Sequence, residues 1–224
     1  MVSVYSDIWS ESVPGVLITI EGGEGAGKST QCGLLARWLR GLGHQVTETR
    51  EPEGTSLGVL VRRLFEEAEV APVPLTETFL FLAARHQHVT QVIRPALERG
   101  EIVLSDRYTD ATLAYQGYGR GLDLQMLREL NSLATCSIQP DLTFVLDQDP
   151  EVGFGRLGER SLDTFEKMDR AFHDRVRQGY LEIAREAKER VVVARADQPK
   201  ERLQDDMRRT VKEFLARRGV ACGV

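Results

Sequence analysis

Gly22-Gly23-Glu24-Gly25-Ala26-Gly27-Lys28-Ser29 decides the fold. The octapeptide is a complete GxxxxGK[ST] phosphate loop, set between a buried apolar run at residues 16–20 and a helical period that opens at Lys28. Chemistry dictates the residue types. A polyphosphate needs many donors at short range; glycines let backbone N–H groups come close, and the N-terminus of the following helix adds a favourable dipole. Lys28 is placed to reach the β- and γ-phosphates, and the Ser29 hydroxyl to ligate Mg²⁺. The bland alternative, a glycine-rich turn that binds nothing, is disfavoured by the strand–turn–helix context.

Outward from that loop, short apolar runs alternate with long helical periods, the pattern of a parallel sheet flanked by helices. Strands are expected at residues 16–20, 46–49, 102–105, 142–147 and 191–194. Helices are expected at 28–42, closed by Gly43, and at 57–68, 124–134, 165–189 and 199–217, with another opened by Pro150. The longest should run over 76–99, capped by Thr76 and kinked at Pro95. Gln116-Gly117-Tyr118-Gly119-Arg120-Gly121 reads as flexible, and the polar segment at about 156–164 reads as a short lid insert. The expected fold is α/β, a three-layer P-loop NTPase domain over 16–218 with a five-stranded parallel sheet. An N-terminal extension (1–15) precedes it, and a short tail (219–224) follows.

Composition narrows the function classes. Of 224 residues, 42% are hydrophobic and 28% charged, which suffices for a buried core and argues against disorder. Lys+Arg 29 against Asp+Glu 34 leaves a net charge of −5, unsuited to non-specific binding of nucleic acid or an anionic membrane. No run approaches the ~18 apolar residues of a membrane span. Residues 1–15 lack the basic and apolar regions of a secretory leader. Cys32, Cys136 and Cys222 are odd in number and widely spaced, so a reducing cytoplasm is expected rather than a disulfide framework. His44, His86, His88 and His173 show no zinc-ligand spacing.

Two further features bear on chemistry. Asp106 and Asp147 both end expected strands and could each hold Mg²⁺ through water, or serve only in structural salt bridges. Arg107 follows Asp106 at the strand end where ligands bind in open α/β sheets. On the long helix, Phe79, Leu82, Ala83, His86, Val89, Ile93 and Leu97 make the expected core stripe, with Phe81 and Arg85 on its flank. An aromatic face beside a guanidinium suits a planar base with carbonyl acceptors; the alternative is a core Phe81 and a solvated Arg85.

The run from Glu21 to Thr30 resembles the phosphate loop of bacterial thymidylate kinases. So do Arg50-Glu51-Pro52, Phe81-Leu82-Ala83-Ala84-Arg85, Asp106-Arg107-Tyr108, Ala114-Tyr115-Gln116-Gly117, Pro140-Asp141-Leu142-Thr143 and Ala196-Asp197-Gln198-Pro199, in the family's order and spacing over about 16–217. The resemblance implies transfer of the γ-phosphoryl of ATP to the 5′-phosphate of dTMP, with Mg²⁺ held at Ser29 and Asp106, in a cytoplasmic homodimer. It places the base-stacking aromatic on Phe81, the base-binding arginine on Arg85 and polar base contacts on Thr112 and Gln116. The acceptor phosphate falls to Arg107, with Arg62 as a second cation. Glu24 falls near the deoxyribose 3′-hydroxyl, with Glu51 in the neighbouring loop.

The resemblance also carries two departures and a contrast. Gly25 stands where some members carry an arginine, which implies that a lid arginine, Arg156 or Arg160, supplies the missing catalytic charge. Glu53 stands in place of a second glycine after Arg-Glu-Pro, and Thr164 stands where arginine is common in the lid. Two other readings stay open at this level: a kinase for another nucleoside monophosphate, or a nucleotide-binding regulator with little turnover. The basic flank Arg208, Arg209, Lys212, Arg217 and Arg218 reads as a solvated helix face.

Overall fold

The computed structural model describes residues 14–67, 72–156 and 165–219. Five strands, β1 (Val16–Gly22), β2 (Val46–Arg50), β3 (Ile102–Asp106), β4 (Leu142–Asp147) and β5 (Val191–Arg195), form one parallel sheet in the order β2-β3-β1-β4-β5. Both faces of β1 are covered, and all seven of its residues are buried. Such double burial is why parallel strands read as continuous apolar runs.

Helices α1 (Lys28–Gly41) and α8 (Lys200–Arg217) cover one face, where Leu35, Leu39, Met207 and Val211 pack on Ile18, Ile20, Leu104 and Phe144. The opposite face carries α2 (Ser56–Glu67), α3 (Pro74–His88), α4 (Thr109–Thr112), α5 (Leu124–Ala134) and α7 (Arg170–Glu186), while α6 (Pro150–Gly155) leads toward the expected lid. The three-layer α/β fold and its five parallel strands are as expected. Residues 1–13, including Val4, Tyr5, Ile8 and Trp9, lie outside the described residues, as do Cys222 and the lid span except Arg156.

Four local expectations need correction. The long helix starts at Pro74, not at a Thr76 cap; proline fits the first turn, where its missing N–H costs nothing. The break near Pro95 is a π-helical turn at Val89–Ile93, which passes into a last helical turn, Arg94–Glu98. Gln116–Gly119 is not flexible but belongs to a second π-helical stretch, Leu113–Gly119, that continues α4 and is mostly buried. Residues 165–169 are turn rather than helix; α7 begins at Arg170, capped by Asp169, whose side chain accepts the Phe172 N–H at 2.7 Å.

Candidate active site

The C-terminal ends of β1 and β3 and the loop after β2 open on one cleft of about 680 Å³. The phosphate loop forms its floor. Gly25 and Gly27 have φ of 67° and 92°, left-handed values that favour glycine, and Gly27 leads into α1 with no side-chain cap, leaving the helix N–H groups for a ligand. Gly25 is also sterically required: a Cβ there would lie 1.9 Å from the Gly153 carbonyl oxygen on α6. Lys28 Nζ donates to the carbonyls of Gly23 (2.7 Å) and Gly22 (3.1 Å), so the ammonium is held across the loop. Burial, aided by Arg107, lowers its pKa.

The strand-end acids divide their roles. Asp106 accepts a hydrogen bond from Ser29 Oγ at 2.5 Å, which joins the loop hydroxyl to the β3 carboxylate at the cleft wall. Asp147 instead forms a two-pronged pair with Arg177 on α7 (2.7 and 3.1 Å), the structural alternative. A hydroxyl beside a carboxylate, with the rest of the shell open to water and phosphate, fits the octahedral preference of Mg²⁺. Asp106 and Arg107 do not pair with each other. Arg107 reaches the loop, where Nη2 lies 2.5 Å from Glu24 Oε1, and its guanidinium sits 4.9 Å from the centre of the Tyr115 ring. Tyr115 Oη donates to the same Glu24 oxygen at 2.7 Å. Burial pushes the Glu24 carboxyl up, but Arg107 and Lys28 outweigh it and hold the pKa at about 2.

On the other side, Arg85 is buried and not solvated. Nε and Nη2 meet Glu51 Oε2 (2.8 and 2.7 Å), Nη1 donates to Thr112 and Asn131 (2.6 Å each), and Nη2 also donates to the Tyr108 carbonyl (2.9 Å). Glu51 also faces His88 Nδ1 at 3.3 Å, and His88 Nε2 lies 2.7 Å from Thr49 Oγ1. Burial resists ionisation of Glu51, but Arg85 and His88 prevail and lower its pKa. Gln116 Nε2 donates to the wholly buried Glu77 (2.8 Å), which also pairs with Arg120 (2.8 Å).

Phe81 lines the cleft and stacks on Phe65, with centroids 4.7 Å apart and planes 5° from parallel; Phe165 tilts against both. Arg62 also lines the cleft, 2.8 Å from Glu66, and Glu53 stands at the mouth. At the other end the wall is made by Arg156, Ala196, Gln198 and Lys200. Arg156 donates to the Ala196 carbonyl at 3.1 Å, while Arg160 and Thr164 lie outside the described residues.

The cleft thus brings together Glu24, Gly25, Ala26, Gly27, Lys28, Ser29 and Thr30 of the expected loop with Glu51, Arg62, Phe81, Arg85, Asp106, Arg107, Thr112, Gln116 and Arg156, whereas Gly22 and Gly23 do not line it and instead hold Lys28 through their carbonyls. Sequence reasoning missed the groups that orient them: Glu77, His88, Tyr115 and Asn131. Only Tyr115 had a signal, its place in the Ala-Tyr-Gln-Gly run. The expected core stripe over 76–99 is also corrected, because Phe79, Ala83 and His86 on α3 are exposed, while Leu82 on α3, Val89 and Ile93 in the π-helical turn and Leu97 beyond it are buried.

Known proteins of one family resemble this chain over most of its length. The thymidylate kinase family model matches residues 20–207. A thymidylate kinase of Desulfovibrio desulfuricans is 46% identical over 213 residues, covering 91% of this chain and 98% of the relative. One from Deinococcus radiodurans is 48% identical, covering 89% and 97%. The crystal structure of thymidylate kinase from Ehrlichia chaffeensis superposes with a TM-score of 0.74 at 32% identity, over 88% of this chain and 98% of that one. With the phosphate loop, the strand-end Asp-Arg and the aromatic–guanidinium wall converging on one cleft, the chain belongs to the thymidylate kinase family.

Proposed function

We propose that the chain carries out its family's reaction, ATP-dependent phosphorylation of dTMP to dTDP, with the donor at the Arg156–Lys200 end of the cleft and the acceptor at the Phe81–Arg85 end. The observation that carries this reading is one cleft with a phosphate loop between two differently built walls. An oxygen of the dTMP 5′-phosphate attacks the γ-phosphorus, the bond from that phosphorus to the β–γ bridging oxygen breaks, and ADP leaves. Because both partners are polyanions, catalysis is alignment and charge neutralisation.

Each group has a task. Lys28 leaves the loop carbonyls for the donor phosphates, and Arg107 leaves Glu24 for the acceptor phosphate, which frees Glu24 for the sugar hydroxyl. Arg62 adds a second cation, and Arg156 turns from Ala196 to the transferred group, with Arg160 as the alternative lid arginine. Ser29 and Asp106 would hold Mg²⁺, whose charge would offset that developing between β- and γ-phosphates. The base lies on the face of Phe81 opposite Phe65. Thr112 already accepts from Arg85, so its own proton is directed to a base carbonyl; Gln116, fixed by Glu77, meets the polar edge. Glu51 acts by holding Arg85.

Exposed Leu57, Leu60 and Leu64 on α2, with Val73, Leu75 and Phe79 at the start of α3, form an apolar face that supports a homodimer. No helix among the described residues is long and apolar enough to cross a membrane. Unpaired Cys32 and Cys136 support the cytoplasmic setting.

The test compares dTMP, dUMP and dCMP as acceptors in wild type and Arg107→Ala. The expected order is dTMP above dUMP, separated by the modest effect, about 1–3 kcal/mol, of one methyl contact, with dCMP lowest. Arg107→Ala should raise KM for every acceptor. Equal use of all three would refute the thymidylate assignment.

A further inference from the structure

Glu21 is wholly buried behind the phosphate loop and has no part in the transfer described above. Strand alternation puts Ile18 and Ile20 against the α1/α8 layer, so Thr19 and Glu21 face the α7 side. There, one Glu21 oxygen accepts the Tyr108 N–H at 2.7 Å, and the other is 3.0 Å from the Tyr180 hydroxyl on α7.

Tyr108 follows Arg107, whose φ of 71° puts a non-glycine residue in the left-handed region. Such a backbone persists only when its surroundings over-determine it. Three bonds do so: the Arg107 N–H donates to the Ile20 carbonyl (3.0 Å), the Arg107 carbonyl accepts from Ser105 Oγ (2.8 Å), and the next N–H goes to Glu21. This turn takes the guanidinium off the strand direction and over the Tyr115 ring to Glu24.

We propose that Glu21 is a positioning residue for the acceptor phosphate: by holding the Tyr108 N–H it fixes the left-handed Arg107 backbone, and with it the direction of the guanidinium. The inference rests on Arg107 being the acceptor-phosphate cation. Burial, reinforced by Asp110 and opposed by Arg107, pushes the Glu21 carboxyl up to about 8. Asp110 is itself paired with Arg190; Tyr108 and Tyr180 bond the carboxyl directly, and Lys28 and Arg85 stand within its field. Below pH 8 the neutral acid keeps a carbonyl for Tyr108 and a hydroxyl for Tyr180 without setting a negative charge behind an anion site. Above it, the buried carboxylate opposes the incoming phosphate.

The test is a cycle of Glu21→Ala, Arg107→Ala and the double variant, with KM for dTMP and for ATP and a melting temperature for each. Glu21→Ala should raise the dTMP KM about tenfold, as for one lost buried hydrogen bond. Its ATP KM should stay within about twofold, and the double variant should be no worse than Arg107→Ala alone. If Arg107→Ala leaves the dTMP KM unchanged, the acceptor reading fails and this inference with it. If Arg107→Ala raises it but Glu21→Ala does not, raises both KM values alike, or adds fully to Arg107→Ala, the positioning role alone is overturned. Glu21→Gln, an isostere of the neutral acid, decides the matter should the alanine variant not fold. It should keep a near-wild-type dTMP KM at pH 7, because the amide oxygen still holds the Tyr108 N–H, and lack the rise expected of wild type above pH 8; a dTMP KM at pH 7 raised as far as in Arg107→Ala would overturn the proposal.

Discussion

Glu51→Gln isolates the charge that holds the base-side wall. The Glu51 and Arg85 side chains are 6% and 4% exposed, so the pair has almost no solvent to screen it. The substitution keeps the hydrogen-bond geometry. The amide oxygen can face Arg85 Nε and Nη2, and the amide nitrogen can face His88 Nδ1, with His88 Nε2 donating to Thr49. What is lost is the negative charge opposite a buried guanidinium. Removing one partner of a buried pair costs about 3–5 kcal/mol, and the low end applies because the bonds survive. For a chain of this length, about 3 kcal/mol lowers Tm by about 6–12 °C. Calorimetry or circular dichroism melts at pH 7 measure it, with Glu51→Gln/Arg85→Met as the control; the double variant should melt above the sum of the single losses, because no lone charge remains buried. The pH dependence follows the same logic. Glu51 has a lowered pKa in the fold, so its contribution is present above the unfolded value near 4.5 and is lost as pH falls through the lower folded value; Glu51→Gln lacks that part of the acid sensitivity. A Glu51→Gln melt within about 2 °C of wild type would mean that the carboxylate charge does not stabilise the buried Arg85.

Other outcomes follow from the same structure. Phe81→Ala should raise the dTMP KM about tenfold with little change for ATP, the scale of one base–aromatic stack, read from steady-state kinetics with each substrate varied. Gly25→Ala should cost about 1–2 kcal/mol for its left-handed backbone and more for the Cβ forced to 1.9 Å from the Gly153 carbonyl oxygen; a tenfold or greater rise in ATP KM would report it. Glu21 has a raised pKa, so its contribution to stability is full below pH 4.5 and is lost as pH rises through about 8. Glu21→Gln should therefore gain on wild type in Tm between pH 6 and pH 9.

What was legible in the sequence was local. The strand–loop–helix around Lys28 and the β4 strand can be read from neighbours in the chain, because burial on both faces and a glycine-rich turn are short-range properties. The same locality misled at Gln116–Gly121. Glycines there suggest mobility, yet Gly117 and Gly119 are small because neighbours crowd them: a Cβ would meet Leu124 Cδ2 at 2.4 Å and Phe172 Cε2 at 2.6 Å. Helical periodicity on α3 identified an apolar stripe but not which side of it the core takes, so Phe79 was misplaced. The orienting acids were least visible. Glu77 meets Gln116, and Glu21 meets Tyr108 and Tyr180, across gaps of 39, 87 and 159 residues, pairings that only the folded sheet creates.

A coupled assay of ADP release from Mg·ATP by the purified protein, with and without dTMP, reads the phosphoryl transfer itself. Release should depend on dTMP, form dTDP in equal amount and disappear in Lys28→Ala. A folded protein that binds ATP yet releases no more ADP with dTMP than without it would rule out dTMP as the acceptor.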